Sequence, residues 1–445
     1  MKDRPMNASA HPAPARADQN LAPRSRAAMV TLVPFGAPQE GRFAWLVEDH
    51  AVPVVALVAS IDGGAAQDPP GKAGAAALMA NLLDEGAGDL DDEAFHRALD
   101  EQAIEFSVGA DRDAFRVQMR TLSKNLDRAA DLAALALNAP RFDAGPLDRV
   151  RAQMMAGLRR QANDPDARAA KAWRETAYPG HPYAQPSEGA LDTLPGIGRD
   201  DLAALRQACF ARDGLNVAIV GAISAERAAR LLEQLFGAWP AAGARRPVAD
   251  VTPQGAGRRV VVDIDLPQTT LRFGAPGLKR HDPDFDAAIV VNHILGGGVF
   301  AARLFKEVRE ARGLAYSVWS QLACSDHAAT LSGATTTKNE RAAESLSVIE
   351  AEIARMAAEG PTEDELAKAK SYLTGSYDLR LDSSTKIAAA LVAIMREGFA
   401  PAYLDERNAR LEAVTIEDAR RVARRLFDQK LLWTMAGRPR DIAAA

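Results

Sequence analysis

The chain of 445 residues is poor in features that define several classes of protein. It has two cysteines, Cys209 and Cys324, with no C-x-x-C near either, so we expect free thiols rather than a disulfide framework. Its longest uncharged apolar run, residues 51–61, is about half of a membrane-spanning helix and contains a proline, which favours a strand. The net charge is −5, and no run of Lys or Arg is interleaved with aromatic residues. Nucleic acid and a membrane span are therefore not expected.

The first 27 residues are rich in Ala, Pro, Arg and Asn and contain no apolar block after the basic residues. This composition does not match a secretory signal, and we predict a flexible tail over residues 1–27. The compartment stays open at this point. A native start at Met1 implies the cytoplasm, whereas removal of an upstream signal peptide implies the periplasm.

An internal repeat spaced by about 210 residues organises the rest of the chain. Residues 104–108 resemble residues 314–318, and each motif is followed by a second strand-like run and then a Lys-Asn pair, at Lys124 and Lys338. Arg-Ala-Ala follows in both copies and opens a helical pattern with apolar residues at spacings of three and four. Five matches in one order indicate two homologous halves.

The repeat predicts two domains of similar size, as the length also requires. We expect a first domain at residues 28–240, a linker rich in Ala, Gly, Pro and Arg at 241–257, and a second domain at 258–440. Hairpin strands mixed with helix pairs favour an α+β fold in which each half is a mostly antiparallel sheet with helices on one face. Two such halves are expected to form a clamshell around a cavity.

Two stretches carry a resemblance to a known family. Residues 292–298 read Asn-His-Ile-Leu-Gly-Gly-Gly, followed by the Arg- and Glu-rich helix of 303–310 and by Gly-Leu-Ala-Tyr-Ser-Val at 313–318. A weaker match covers residues 62–74. Over roughly residues 28–440 the chain resembles the pitrilysin and mitochondrial-processing-peptidase family of zinc peptidases with an inverted H-x-x-E-H motif. It resembles in particular the non-catalytic subunit.

The family's zinc motif is lost in this sequence. In catalytic members two His on one helical face bind zinc, and the Glu beside them activates the metal-bound water. Alignment on Gly71-x-Ala73 places Gly74, Ala77 and Leu78 at those three positions. None of the three can ligate a metal or accept a proton. The resemblance therefore implies that this chain binds no metal or other cofactor, has no catalytic residue of its own, and relies on zinc in a partner subunit.

A substrate-binding pair of the family is retained. The family's second domain carries an Arg and, seven positions later, a Tyr that hold the peptide, and Arg309 and Tyr316 match that spacing. An Arg fork suits a carboxylate or carbonyl group, and a Tyr hydroxyl donates to a substrate oxygen. The alternative is that Arg309 is one charge on a solvated helix face and Tyr316 a half-buried strand residue. We expect Phe300, Leu304, Val308 and Ala311 to form the apolar stripe of this helix, with Phe305 at its edge.

Gly296, Gly297 and Gly298 have two interpretations. A Gly-rich loop before a helix exposes backbone N–H groups to an anion or a peptide, and it also serves as a hinge or a close-packed turn. The resemblance favours proximity to a peptide substrate.

Two functions from different classes follow from the resemblance. The first is a non-catalytic subunit that pairs with a homologous H-x-x-E-H chain, as a heterodimer or a dimer of heterodimers, and lends it a peptide clamp. On this hypothesis the isolated chain is inactive. The second is a structural homologue that holds a larger complex together without a role in proteolysis.

Overall fold

The computed structural model describes residues 25–442, so the predicted tail lies almost wholly outside the described residues. The described residues form eleven strands in two sheets. The first sheet contains β1 (Thr31–Pro34), β2 (Phe43–Glu48), β3 (Val54–Asp62), β4 (Glu105–Ala110), β5 (Ala114–Leu122) and β6 (Leu215–Gly221). The second contains β7 (Arg259–Val262), β8 (Gln268–Pro276), β9 (Ala315–Cys324), β10 (Ala329–Lys338) and β11 (Leu432–Ala436).

Thirteen α-helices surround these sheets in the described part of the chain. Those of the first half are α1 (Ala75–Ala80), α2 (Asp92–Glu101), α3 (Leu126–Asn138), α4 (Ala144–Gln161), α5 (Pro165–Ala177), α6 (Arg199–Cys209) and α7 (Ala225–Phe236). Those of the second half are α8 (Phe285–Asn292), α9 (Ala342–Glu359), α10 (Glu363–Gly375), α11 (Ser384–Arg396), α12 (Tyr403–Glu412) and α13 (Ile416–Phe427). Between residues 25 and 442 no helix has the length and apolarity that crossing a membrane requires.

The two sheets have one topology, as the internal repeat predicts. The strand order is β1-β2-β6-β3-β5-β4 in the first sheet and β7-β11-β8-β10-β9 in the second. In each, one parallel pair, β2 with β6 or β7 with β11, is followed by antiparallel pairs only. The equivalent strands β4 and β9 each form the edge that ends the order. The predicted α+β fold of two homologous, mostly antiparallel halves that form a clamshell is confirmed.

The local sequence explains the main elements. β3 is buried along its whole interior because it is a central strand covered on both faces, which accounts for the continuous apolar run of residues 51–61. Helix α7 begins at Ser224, whose hydroxyl accepts a hydrogen bond from the Arg227 N–H. Helix α2 begins in the same way at Asp91. These side chains satisfy N–H groups that the first helical turn leaves without partners.

One helix of each half crosses to the other half. Each half packs most of its own helices on one face of its sheet, as predicted. The opposite face of the first sheet is covered by α11, whose Leu391 and Val392 pack with Val58 and Val220. The opposite face of the second sheet is covered by α5, whose Trp173 ring lies against Gly274 of β8. Helices α5 and α11 occupy the same place in the repeat, after α4 and α10, so the exchange is symmetrical.

The segment of residues 241–257 has neither helix nor strand and is hydrogen-bonded to both halves. The backbone N–H of Arg246 donates to the Gln67 side chain of the first half. The backbone N–H of Val251 donates to the His327 carbonyl of the second half, and that of Gln254 to the Ala177 carbonyl. The predicted linker therefore lies along the junction of the halves.

Candidate functional site

The three positions of the lost zinc motif lie on α1 and at its start. Gly74 precedes the helix with φ +96°, and a Cβ atom built there would lie 2.6 Å from the Gly189 Cα atom. Leu78 is fully buried in the first core, and Ala77 is half-buried. Since Gly74 has a left-handed backbone and no space for a side chain, this position now serves the packing of the loop around Gly189. Gly74 therefore has no room for a metal-binding side chain.

A carboxylate holds the start of this helix. Asp68 accepts hydrogen bonds from the Gly74 N–H at 2.6 Å and the Ala76 N–H at 2.7 Å. Burial raises the pKa of the Asp68 carboxyl to about 7 although both N–H groups act in the opposite direction. Among the described residues 25–442, no three His, Cys, Asp or Glu side chains are grouped so that they could hold a metal ion. At the predicted position of the lost motif, the described residues therefore form a helix cap.

Helix α4, which contacts α1, turns apolar residues inward. Its buried residues are Pro146, Leu147 and Val150. Asp148, the acidic residue that the sequence places in this helix, is 74% exposed and pairs with Arg151 at 2.6 Å. It is directed to solvent rather than towards α1.

Arg309 and Tyr316 lie together on the second half. The Arg309 guanidinium carbon is 4.8 Å from the centre of the Tyr316 ring and 4.7 Å from that of Phe305, so the cation lies between two aromatic rings. Tyr316 is 83% exposed, whereas Phe305 is buried. Within the described residues neither the Arg309 guanidinium nor the Tyr316 hydroxyl has a hydrogen-bond partner or a carboxylate within 4.0 Å. Their donors are free to bind a ligand.

The turn between helix and strand brings the pair together. Gly313 has φ +57°, and its N–H donates to the Arg309 carbonyl, while the Leu314 N–H donates to the Val308 carbonyl. These hydrogen bonds end the helix just before β9 begins, so the Tyr316 ring lies close to the Arg309 guanidinium in space.

The internal repeat supplies a comparison for the pair. At the same offset of 210 residues, Leu99 of α2 corresponds to Arg309 and Phe106 of β4 to Tyr316. Leu99 and Phe106 are 7% and 9% exposed and belong to the first core. Equivalent places therefore hold a buried apolar pair in one half and a solvent-accessible Arg–Tyr pair in the other. The interpretation of Tyr316 as a half-buried strand residue is wrong.

The predicted apolar stripe of the helix is partly wrong. Leu304 and Val308 are buried as expected, but Phe300 is 68% exposed and Ala311 is exposed. The chain forms π-helical turns at residues 305–310, and a separate short turn at 299–301 precedes them. A π-helical turn has more residues than an α-helical turn, so the spacing of three and four does not hold across it. Phe305 lies within the buried face of the helix and not at the edge of that face. The Phe305 ring packs against the Arg309 guanidinium.

The glycine loop borders a groove beside β9. Residues 293–297 form a second π-helical turn, and Gly296 is so close to β9 that an added Cβ atom would lie 2.4 Å from the Ser320 Oγ atom. Gly297 is exposed, and Gly298 has less room, with the His293 carbonyl oxygen 2.9 Å from an added Cβ. Gly296 and Gly297 line the groove of about 610 Å³ together with Phe305 and the β9 residues 317–322. Gly296 thus acts as a close-packed turn, while Gly297 is exposed and has the Asn292 side-chain nitrogen 3.2 Å from an added Cβ.

A buried ion pair fixes the helix that carries Arg309. Arg303 has a side chain 9% exposed and donates two hydrogen bonds to the Glu365 carboxylate, at 2.7 and 2.6 Å, and one to the Gly360 carbonyl. The amino-acid sequence alone does not indicate that Arg303 and Glu365 form a pair. Their separation of 62 residues gives no local signal, and only the packing of α10 against the glycine turn brings them together.

Comparison with known proteins places this geometry in a family. The model described as insulinase, peptidase family M16, matches residues 44–190, and the model of the peptidase M16 inactive domain matches residues 196–373. The chain is a member of peptidase family M16. The predicted family is confirmed, whereas the loss of the zinc motif at Gly74, Ala77 and Leu78 stays a prediction.

Relatives of known name or structure agree with this assignment. The non-peptidase homolog YmxG of Helicobacter pylori is 27% identical over 334 residues, which cover 75% of this chain and 77% of the relative. A protein of Mycobacterium tuberculosis named an uncharacterized zinc protease is 28% identical over 420 residues, or 92% of each chain. The crystal structure of a peptidase M16 inactive domain from Pseudomonas fluorescens superposes with a TM-score of 0.86 at 28% identity. The superposition covers 94% of this chain and 99% of the Pseudomonas fluorescens protein.

Proposed function

We propose that this chain is the non-catalytic subunit of a two-chain M16 zinc peptidase and that it holds the peptide substrate with Arg309 and Tyr316. The partner is a homologous H-x-x-E-H chain that supplies the zinc and the general base. The observation that carries the proposal is the Arg309–Tyr316 pair, whose hydrogen-bond donors have no partner in residues 25–442 and whose repeat equivalents are buried and apolar.

The arrangement favours a neutral or acidic group of an extended peptide as the ligand. Between two rings, the guanidinium of Arg309 keeps its orientation while its N–H groups stay available to a carbonyl or carboxylate oxygen. The Tyr316 hydroxyl donates to a second oxygen. The groove beside Gly297 and β9 offers room for the adjoining peptide. Positioning of this kind contributes to rate even when the metal belongs to another subunit.

The test is peptide cleavage by the chain reconstituted with its H-x-x-E-H partner. The Arg309→Ala variant should lower kcat/KM roughly ten- to hundredfold, because it removes hydrogen bonds from a charged group to the substrate. The complex should still form in gel filtration. Tyr316→Phe, which removes only the hydroxyl, should have a smaller effect in the same direction. Lys306→Ala alters an exposed cation on the same helix and should leave turnover unchanged. Turnover at the wild-type rate by the Arg309→Ala complex would instead support the scaffolding role.

A further inference from the structure

Two neighbouring cavities lie at one end of the second sheet, and the first of them is lined by Tyr316. The first, of about 280 Å³, is lined by Tyr316, Lys338 and Arg341 among others. The second, of about 640 Å³, is lined by Lys338, Arg438 and Arg440 among others. Lys338 and Gln268, which are paired across β8 and β10, line both cavities. The two cavities therefore form one continuous surface, which begins at Tyr316 and which we name the basic end of the sheet.

The basic end of the sheet presents two exposed cations that no carboxylate contacts. Its lining has four basic side chains and one acidic side chain, Glu340. Two of the basic side chains are neutralised, since Arg341 pairs with Glu344 at 2.6 Å and Arg438 pairs with both Asp263 and Asp265 at 2.7 Å. Lys338 and Arg440 are exposed and have no carboxylate within 4.0 Å in the described part of the chain. With Arg309, three cations lie along one path without an anionic partner.

We propose that the basic end of the sheet binds carboxylate groups of the peptide, so that the substrates of the proposed complex are acidic peptides. This inference rests on the proposed function, because it concerns the part of the peptide beyond the Arg309–Tyr316 clamp. Lys338 offers a point charge and Arg440 a fork of donors, and both recognise carboxylate oxygens. A basic peptide would meet repulsion along the same path.

The carboxylates have two sources in a peptide, acidic side chains and the free C-terminus. Either source would place a carboxylate beside Lys338 and Arg440. Four peptides that differ in their acidic residues and in their C-terminal group distinguish the two sources. One peptide carries internal Glu residues and an amidated C-terminus, and a second is neutral with a free C-terminal carboxylate. A third is neutral and amidated, and a fourth carries Lys in place of Glu.

The experiment measures binding of these peptides, labelled with an uncharged dye, to the purified full chain by fluorescence anisotropy. Exposed ion pairs contribute modestly, so the Glu peptide or the free-carboxylate peptide should bind about three- to tenfold tighter than the neutral amidated peptide. The advantage should shrink as salt rises, because these charges are exposed. Lys338→Ala with Arg440→Ala should remove the advantage. The matched pair Lys430→Ala with Arg424→Ala, on another cavity of the same half, should not.

The outcomes separate the two proposals. Equal affinity for the acidic and the neutral peptide, with binding that still requires Arg309, would overturn the acidic preference and leave the clamp intact. An acidic preference that persists in the Lys338 and Arg440 variant would also overturn the assigned surface. Absence of binding to every peptide would count against both the clamp and the acidic preference.

Discussion

At the scale of single residues, the two halves show how one framework hosts different chemistry. Leu99 and Phe106 close the first core at the positions where the second half has the partly exposed Arg309 and the exposed Tyr316. An apolar side chain in a core contributes by burial, whereas an exposed Arg or Tyr contributes little to stability. The resemblance to the family predicted the Arg–Tyr pair, but the contrast in burial depends on packing that periodicity alone does not give.

This contrast predicts opposite effects of alanine substitution on stability. Leu99→Ala and Phe106→Ala should lower the free energy of unfolding by about 2–5 kcal/mol, because each leaves a cavity in the core. Arg309→Ala and Tyr316→Ala should change it by less than about 0.5 kcal/mol. Urea unfolding of the four variants checks this. A destabilisation by Tyr316→Ala as large as that by Phe106→Ala would show that Tyr316 is structural.

The backbone at Gly74 predicts that the zinc site cannot be regained by restoring its residues. Gly74→His places a side chain at φ +96° against Gly189, and Leu78→His puts an imidazole into a fully apolar core. We expect the triple variant Gly74→His, Ala77→Glu, Leu78→His to melt well below the wild type and to retain no stoichiometric zinc. Thermal melting and elemental analysis provide the readouts. A stable variant with one zinc per chain would contradict this account.

At the scale of elements, the helix before β9 is the part that the sequence described least well. Spacings of three and four predict an α-helix, and the π-helical turns at residues 293–297 and 305–310 break that period. Such turns are stabilised here by distant partners, Ser320 beside Gly296 and Glu365 beside Arg303, which no local pattern reveals. Strand order and helix pairs follow the repeat and were therefore predictable.

The Arg303–Glu365 pair predicts a pH-dependent contribution to stability. Burial raises the pKa of the Glu365 carboxyl, but hydrogen bonds from Arg303 and Thr362 outweigh it and lower the pKa to about 2. A lowered folded-state pKa stabilises the fold above the ordinary value of 4.5, and this contribution is lost as the pH falls from there towards 2. Arg303→Met should therefore cost about 3 kcal/mol at pH 6 and clearly less at pH 3.

The measurement compares urea unfolding of the wild type and Arg303→Met at both pH values. Arg341→Met is the matched control, because Arg341 pairs with Glu344 while both side chains are largely exposed. Its cost should be small at either pH. A cost of Arg303→Met that is equal at pH 6 and pH 3 would mean that packing rather than charge accounts for the effect.

At the scale of the whole molecule, the exchange of α5 and α11 joins the halves. The repeat predicted two equivalent domains and a connection at residues 241–257, but a helix pattern does not show which sheet the helix covers. The apolar faces of α5 and α11 fit either sheet in principle. Specific contacts, such as that of the Trp173 ring with Gly274, determine which sheet each helix covers. The equivalent hairpins also meet at this junction, where Tyr183 donates to Asp113 at 2.6 Å and accepts from the His327 N–H.

This architecture predicts that cutting the connection does not separate the halves. A protease site inserted between Ala241 and Ala242, both exposed, should be cleaved, and both fragments should still elute together in gel filtration.

Leu391 and Val392 of α11 are buried on the first sheet, and burial of such side chains contributes about 1.5–3 kcal/mol each. Leu391→Asp should release the cut fragments from each other, since it buries a charge at the junction. Ala393→Asp, at an exposed position of the same helix, should not. If the cut wild-type chain falls apart without any substitution, the residues 241–257 hold the halves together and the crossed helices do not.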